Sequence, residues 1–228
     1  MSKPLYRRFL FLYFPFRWTL RFFLRLEVFG TEYLETIKKE GAIFTANHIS
    51  YLDSPLLVIS IPKTLKHFFP IRFIGGDEYF HKIGFREFFK FFGVLPAKKG
   101  SGHLARSLGW LLLALDRGGS VGIFPEGARS QEGDRYLGTA KICQGKRGIG
   151  FLAKFSQKII VPVGIVGVFQ TSFKDFFLRK RKAILIFGKP FVMDQHHSIE
   201  DAAAYVMDEI KKLVAEGEKR LHENFRKA

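Results

Sequence analysis

Four short apolar runs, at residues 42–46, 121–124, 159–163 and 183–187, recur along the chain with helix-patterned stretches between them. Strands that alternate with helices can bury their apolar faces only in an α/β layer fold, so this alternation is the strongest constraint on the architecture. The clearest intervening helix spans 103–117, with Leu104, Leu108, Leu111, Leu112 and Leu115 on one face and Gly118-Gly119 ending it. A closing helix is expected over 199–225. The expectation is an α/β single-domain layered fold, a central mixed sheet flanked by helices, which 228 residues can fill with one core.

The first 30 residues read differently. Over 4–29, large apolar side chains surround Arg7, Arg8, Arg17, Arg21 and Arg25. The last three lie four apart and line one helical face, opposite a wide apolar side holding Leu20, Phe22, Phe23, Leu24 and Leu26. Such a helix can lie flat in a lipid headgroup layer or pack on a protein core, and periodicity does not separate the two. We divide the chain into a membrane-associating amphipathic segment, 1–30, and the main domain, 31–228. Arg17 follows only eight apolar residues after Arg8, with no small-residue cleavage site, which fits a signal peptide poorly. Residues 80–92 form a second Phe-rich stretch, where Phe85, Phe88, Phe89 and Phe92 follow helical spacing and Lys82, Arg86 and Lys90 recur every four. It too suits a membrane contact or a core helix.

Charge indicates the partner. Lys and Arg outnumber Asp and Glu by 37 to 21, and a field of that sign attracts phosphates. Of 27 Phe, seven fall in residues 1–30 and nine in 66–92, many beside a cation, a combination suited to a lipid interface. The longest uncharged stretch, 159–173, is interrupted by Pro162, Gly164 and Gly167 and is shorter than the roughly 18 to 20 residues a spanning helix needs. It reads as a buried strand and its turn. A single cysteine, Cys143, makes no intramolecular disulfide and no zinc site, so a cytosol-facing protein is expected.

Two constellations follow strands, where open α/β sheets place their sites. After 42–46 comes Asn47-His48-Ile49-Ser50-Tyr51-Leu52-Asp53. On a continuous helix residues five apart diverge, so a turn must bring His48 and Asp53 together. Ser54 suits an N-cap and Pro55 a first helical position, leaving Asp53 just outside the helix. Its carboxylate can then fix the His48 tautomer so that the other ring nitrogen removes a proton from an alcohol. The plainer reading makes Asp53 a helix-capping residue and His48 an ordinary turn residue. After 121–124 comes Phe124-Pro125-Glu126-Gly127-Ala128-Arg129-Ser130, in which Gly127 permits an unusual turn and Arg129 offers a forked pair of donors to phosphate.

Together these blocks resemble the glycerolipid acyltransferase family. Its first block, His followed by four residues and Asp, stands as His48 to Asp53 behind the usual Asn, here Asn47. Its third block is matched except for Ala128 in place of Thr. Its second normally ends in Gly and, five residues on, Arg; here Gly93 is followed by Lys98, which keeps the charge without the fork. Ile160-Val161-Pro162-Val163 corresponds to the fourth, which the resemblance places near substrate. The likeness covers roughly residues 40–170.

The resemblance implies that His48 and Asp53 are catalytic and that Asn47, Lys98, Glu126, Gly127 and Arg129 bind substrate. It implies transfer of a fatty acyl group from acyl-CoA or acyl carrier protein to the hydroxyl of 1-acylglycerol 3-phosphate, giving phosphatidic acid for phospholipid synthesis. Glycerol 3-phosphate or another lysolipid is the alternative acceptor. The thioester is already activated, so no metal or other cofactor is expected. The implied location is a peripheral or monotopic position on an anionic membrane, at the cytoplasmic face of the bacterial inner membrane.

Competing patterns fit less well. Gly118-Gly119-Ser120-Val121-Gly122 matches a serine nucleophile elbow, but this serine follows a helix and opens a strand, the reverse of what an elbow needs. Gly145-Lys146-Arg147 lacks the remainder of a P-loop, and His196-His197 has no third ligand near in sequence. A noncatalytic basic module on anionic lipid or nucleic acid would explain the charge, including Lys141, Lys146, Arg147, Lys154 and Lys158. It leaves both strand-end blocks unexplained, no nucleic-acid motif is recognisable, and no nucleic-acid partner is expected.

Overall fold

The computed structural model describes residues 3–38, 40–76, 92–97, 101–127, 129, 136–137, 140–141, 145–169 and 171–226. The expected second amphipathic segment, apart from Phe92, therefore lies outside the described residues, as do Lys98, Ala128, Ser130 and Cys143.

The main sheet has seven strands: β1 (Glu27–Phe29), β2 (Ile43–Ala46), β3 (Ile71–Gly76), β4 (Val94–Ala97), β5 (Ser120–Ile123), β8 (Ile160–Val166) and β9 (Ile184–Phe187). A separate two-stranded ribbon pairs β6 (Tyr136–Leu137) with β7 (Ala140–Lys141). The order across the main sheet is β1-β9-β8-β2-β5-β3-β4. β8, β2, β5, β3 and β4 are mutually parallel, while β9 runs antiparallel to β8 and β1 follows β9. This is the expected mixed sheet.

Period-two alternation sorts the strand residues onto two faces. Phe44, Val161, Val163, Ile165, Leu185 and Phe187 enter one core with α1 (Lys3–Phe23) and α3 (Asp53–Ser60). α2 (Thr31–Glu35) adds Leu34 to it. Ile43, Ile160, Val166, Ile184 and Ile186 enter the other, against α4 (Ser101–Asp116), α5 (Arg147–Ser156) and α7 (Ile199–Arg226). Gly164 lets α7 approach closely, since a side chain there would strike Leu213. Each fully buried large side chain contributes roughly 1.5 to 3 kcal/mol. Exposed ion pairs on α7, such as Lys211–Asp208 and Arg220–Glu216, are worth about 0 to 1 kcal/mol each, so burial dominates.

Pro162 sits inside the central strand β8, opposite Thr45 of β2. Its carbonyl accepts the Gly188 N–H, so the N–H it lacks would fall on the β9 side, just past the end of β9. The strand tolerates a proline there because little ladder remains to lose.

The N-terminal segment is helical to Phe23 and no further, because Glu27–Phe29 joins the sheet as β1. One face of α1 is core: Tyr13, Leu20 and, just beyond the helix, Leu24 are buried. The Tyr13 hydroxyl donates to the carbonyls of Ile59 and Ile61, where α3 ends. Arg17 donates to the Tyr13 oxygen and to the Ile61 carbonyl, a cation where the helix dipole favours one. Burial pushes the Tyr13 phenol up despite the pull of Arg17, which keeps the donating proton in place. The other face exposes Phe14, Trp18 and Phe22. No helix among the described residues is long and apolar enough to cross a membrane.

Candidate active site

β2 lies in the middle of the sheet and its chain leaves at Ala46, beside the end of β5. Asn47 continues the contact with β8 through its side chain: its amide nitrogen donates to the Ile165 carbonyl and its amide oxygen accepts the Ile165 N–H, both at 2.8 Å. Asn47 is fully buried, and these two bonds hold the strand end. An amide suits this because it presents a donor and an acceptor just as a backbone does.

His48 follows, and its Nδ1 lies 2.8 Å from Asp53 Oδ2. The same oxygen accepts the N–H of Ile49 at 2.7 Å and of Ser50 at 2.8 Å. These bonds make the turn that the spacing demanded, although its construction differs from the expectation. Asp53 is the first residue of α3 instead of lying outside it, Leu52 occupies the capping position with near-helical angles, and Ser54 is buried within the helix. The carboxylate reaches backward to the turn, which removes any need for a serine cap. Pro55 falls third in the helix, still among the four positions whose N–H has no helical partner.

The Asp53 carboxylate is fully buried, whereas the His48 side chain retains 22% exposure. Phe124 lies flat on the imidazole, ring centres 4.2 Å apart and 15° from parallel, and Phe73 stacks behind Phe124. Gly122 makes room for that column, because a side chain there would pass through the Phe73 ring. One face and one nitrogen of the imidazole are thus fixed, and among the described residues no hydrogen bond reaches His48 Nε2.

The second constellation closes on the first. Glu126 is buried and its Oε1 accepts the His48 N–H at 2.7 Å, joining the ends of β2 and β5. Gly127 turns at φ +70°, a left-handed geometry that favours glycine, and a side chain there would meet Lys146. Lys146 is held by its N–H to the Pro125 carbonyl, which sets its ammonium beside this turn. Arg129 Nη2 donates to the Tyr51 hydroxyl at 2.6 Å, and its guanidinium lies 3.5 Å above the Tyr51 ring. Tyr51 belongs to the His48–Asp53 turn, so the same short segment that holds His48 also holds the Arg129 guanidinium.

The structure thus brings together His48, Asp53, Asn47, Glu126, Gly127 and Arg129. Sequence reasoning missed Phe124 as the wall of the imidazole, Tyr51 as the platform for Arg129, and Lys146 as a neighbouring cation. Only Phe124 carried a signal, by standing at the strand end beside the Pro-Glu-Gly turn. Ser120, the candidate elbow serine, is buried at the start of β5 and its oxygen accepts the Ala42 N–H. That is the strand-opening position expected of it.

Comparison with known proteins gives a family and a fold. A family model described as Acyltransferase matches residues 25–166. The fold is similar to the crystal structure of the 1-acyl-sn-glycerophosphate acyltransferase of Thermotoga maritima, with a TM-score of 0.67 and 20% identity over 95% of this chain and 83% of that one.

Proposed function

This chain belongs to the acyltransferase family, and from that membership we propose that it moves a fatty acyl group from an acyl thioester to the free hydroxyl of 1-acylglycerol 3-phosphate, giving phosphatidic acid. The observation that carries the reading is the bond from His48 Nδ1 to a carboxylate oxygen itself fixed by two backbone N–H groups.

With Nδ1–H donating to Asp53, Nε2 is the basic nitrogen. It takes the proton of the acceptor hydroxyl as that oxygen attacks the thioester carbonyl. Asp53 balances the imidazolium that forms. Collapse of the tetrahedral intermediate breaks the carbon–sulfur bond, and the imidazolium returns its proton to the departing thiolate. Base assistance of this kind contributes about a hundred to ten thousand fold. Thioester activation makes metal or redox chemistry unnecessary for the step.

Arg129 supports the phosphorylated acceptor, since a guanidinium fork held over the Tyr51 ring beside the His48–Asp53 turn is suited to phosphate oxygens. Lys146 and, outside the described residues, Lys98 add point charges on our reading. Glu126 acts through the His48 backbone. The basic surface suits acyl-CoA and acyl carrier protein alike as donor. The exposed Phe14, Trp18 and Phe22 of α1 support a peripheral position on an anionic membrane, and the cytoplasmic face is part of the same proposal.

A panel of both donors against 1-acylglycerol 3-phosphate, glycerol 3-phosphate and other lysolipids tests the proposal. Phosphatidic acid as the main product is expected. Transfer to a different acceptor, with 1-acylglycerol 3-phosphate left unused, would overturn the acceptor while leaving the reaction class intact.

A further inference from the structure

The connection between β8 and β9 presents a second apolar surface far from α1 in sequence. It carries α6 (Phe173–Phe177), where Phe173 is 81% exposed, Phe177 60% and the following Leu178 56%. Three large apolar side chains so open within six residues are costly in water and unusual on a monomer. They are also ringed by cations: Lys174, Arg179 and Lys180 are all exposed, with Asp175 the one acidic residue of the segment.

This segment is joined to α1. Phe23 packs against Phe176 and Phe177, with ring centres 5.0 and 5.4 Å apart. Arg179 donates to the Phe22 carbonyl and lies 4.1 Å from the Phe22 ring centre. Phe22 in turn stacks on Trp18, which is 70% exposed. The aromatic surface therefore runs without a break from α1 to α6.

Topology sets where it faces. Val166 pairs with Ile184 across the antiparallel β8–β9 ladder, so the connection leaves and re-enters at the C-terminal end of β8. β8 is parallel to β2, whose C-terminal end carries His48. The aromatic surface and the catalytic pair thus share one end of the sheet.

We propose that this connection is a second lipid-inserting element, with Phe173, Phe177 and Leu178 entering the acyl layer of an anionic bilayer and Lys174, Arg179 and Lys180 meeting its phosphates. Exposed aromatics flanked by cations match the headgroup boundary, where apolar bodies sink and charged tips stay in water. Together with α1 the element sets the domain's tilt, so that the His48 end of the sheet faces the layer from which a lipid acceptor would come. The inference rests on the lipid-substrate reading only for that last step.

The test is sedimentation with vesicles of phosphatidylglycerol and phosphatidylcholine in about equal amounts, with no substrate present. The Phe173→Ser, Phe177→Ser, Leu178→Ser variant is expected to lose roughly tenfold or more in partitioning, given what each buried apolar side chain contributes. Its acyl transfer to a short-chain, monodisperse lysophosphatidate should stay at the parent level. Unchanged partitioning overturns the proposal. Failure of the parent protein to transfer any acyl group while the partitioning loss stands would overturn the function reading alone. Should the triple variant fold poorly, Phe173→Cys in a Cys143→Ser background, labelled with nitrobenzoxadiazole, reads insertion directly. A blue-shifted, brighter emission on adding the vesicles is expected, and an unmoved spectrum overturns the proposal.

Discussion

Phe124 and His48 lie face to face, 4.2 Å between ring centres, at the ends of adjacent parallel strands. The stack fixes the imidazole plane while Asp53 fixes its tautomer, and the two constraints come from different parts of the chain. Phe124→Leu keeps an apolar neighbour but removes the flat wall. We expect kcat to fall roughly tenfold, since small misplacements of a reacting group are costly, while both Michaelis constants move little. Steady-state kinetics decides it, and an unchanged kcat would show the wall to be dispensable.

His48→Ala should lower kcat/KM by about a hundred to ten thousand fold with little change in stability. Asp53→Asn should behave differently. All three donors to Asp53 converge on Oδ2, while Oδ1 is buried with no hydrogen-bond partner among the described residues. An amide can keep its oxygen toward the donors only by placing its NH2 in the Oδ1 position, unpaired. We expect a loss of about 1 to 3 kcal/mol in urea unfolding, together with a smaller activity loss than His48→Ala. An Asp53→Asn protein as stable as its parent would mean that the Oδ1 position has an acceptor.

The contrast shows what the sequence could convey. Strands β2, β5, β8 and β9 were legible because each is buried on both faces and reads as a continuous apolar run. β1 was not, being three half-buried residues at the sheet edge inside a stretch with helical spacing. β3 and β4 lack such a run: β3 carries Arg72 and ends in Gly75-Gly76, and β4 is four residues with Pro96 among them. At the site, spacing alone left His48 and Asp53 open and the resemblance to a family block singled them out, while the start of α3 was misplaced because Ser-Pro imitates a cap. The backward reach of Asp53 to Ile49 and Ser50 leaves no mark in residue type. Tyr51 and Arg129 lie 78 residues apart, and nothing local predicts that they touch.

That contact makes its own prediction. Tyr51→Leu removes both the ring under the guanidinium and the hydroxyl that accepts from it. An exposed cation–π contact is worth about 0.5 to 1 kcal/mol, so the acceptor's Michaelis constant should rise roughly two- to fivefold with the donor's unchanged. Tyr51→Phe should recover most of the loss. Lys98→Ala should likewise raise the acceptor's constant more than the donor's if that lysine meets the phosphate. Equal effects on both substrates would count against a phosphate role for either residue.

Arg17 and Arg21 of α1 and Arg25 just beyond its end, alike in the sequence, are separated by the structure. Arg17 is half-buried and donates to Tyr13 and to the carbonyl that ends α3, whereas Arg21 and Arg25 are exposed. Replacing Arg21 and Arg25 with Glu should therefore weaken binding to phosphatidylglycerol vesicles while leaving unfolding unchanged, because roughly 1 kcal/mol per surface cation is at stake in headgroup attraction. Tyr13→Phe should do the reverse. It removes the donor to Ile59 and Ile61 and costs about 0.5 to 1.5 kcal/mol in stability, with vesicle binding intact. Measuring both properties on both variants separates the buried face of α1 from its exposed one. If Tyr13→Phe and the double Glu variant lost stability and vesicle binding in the same proportion, α1 would have one function in the fold and no separate face for lipid.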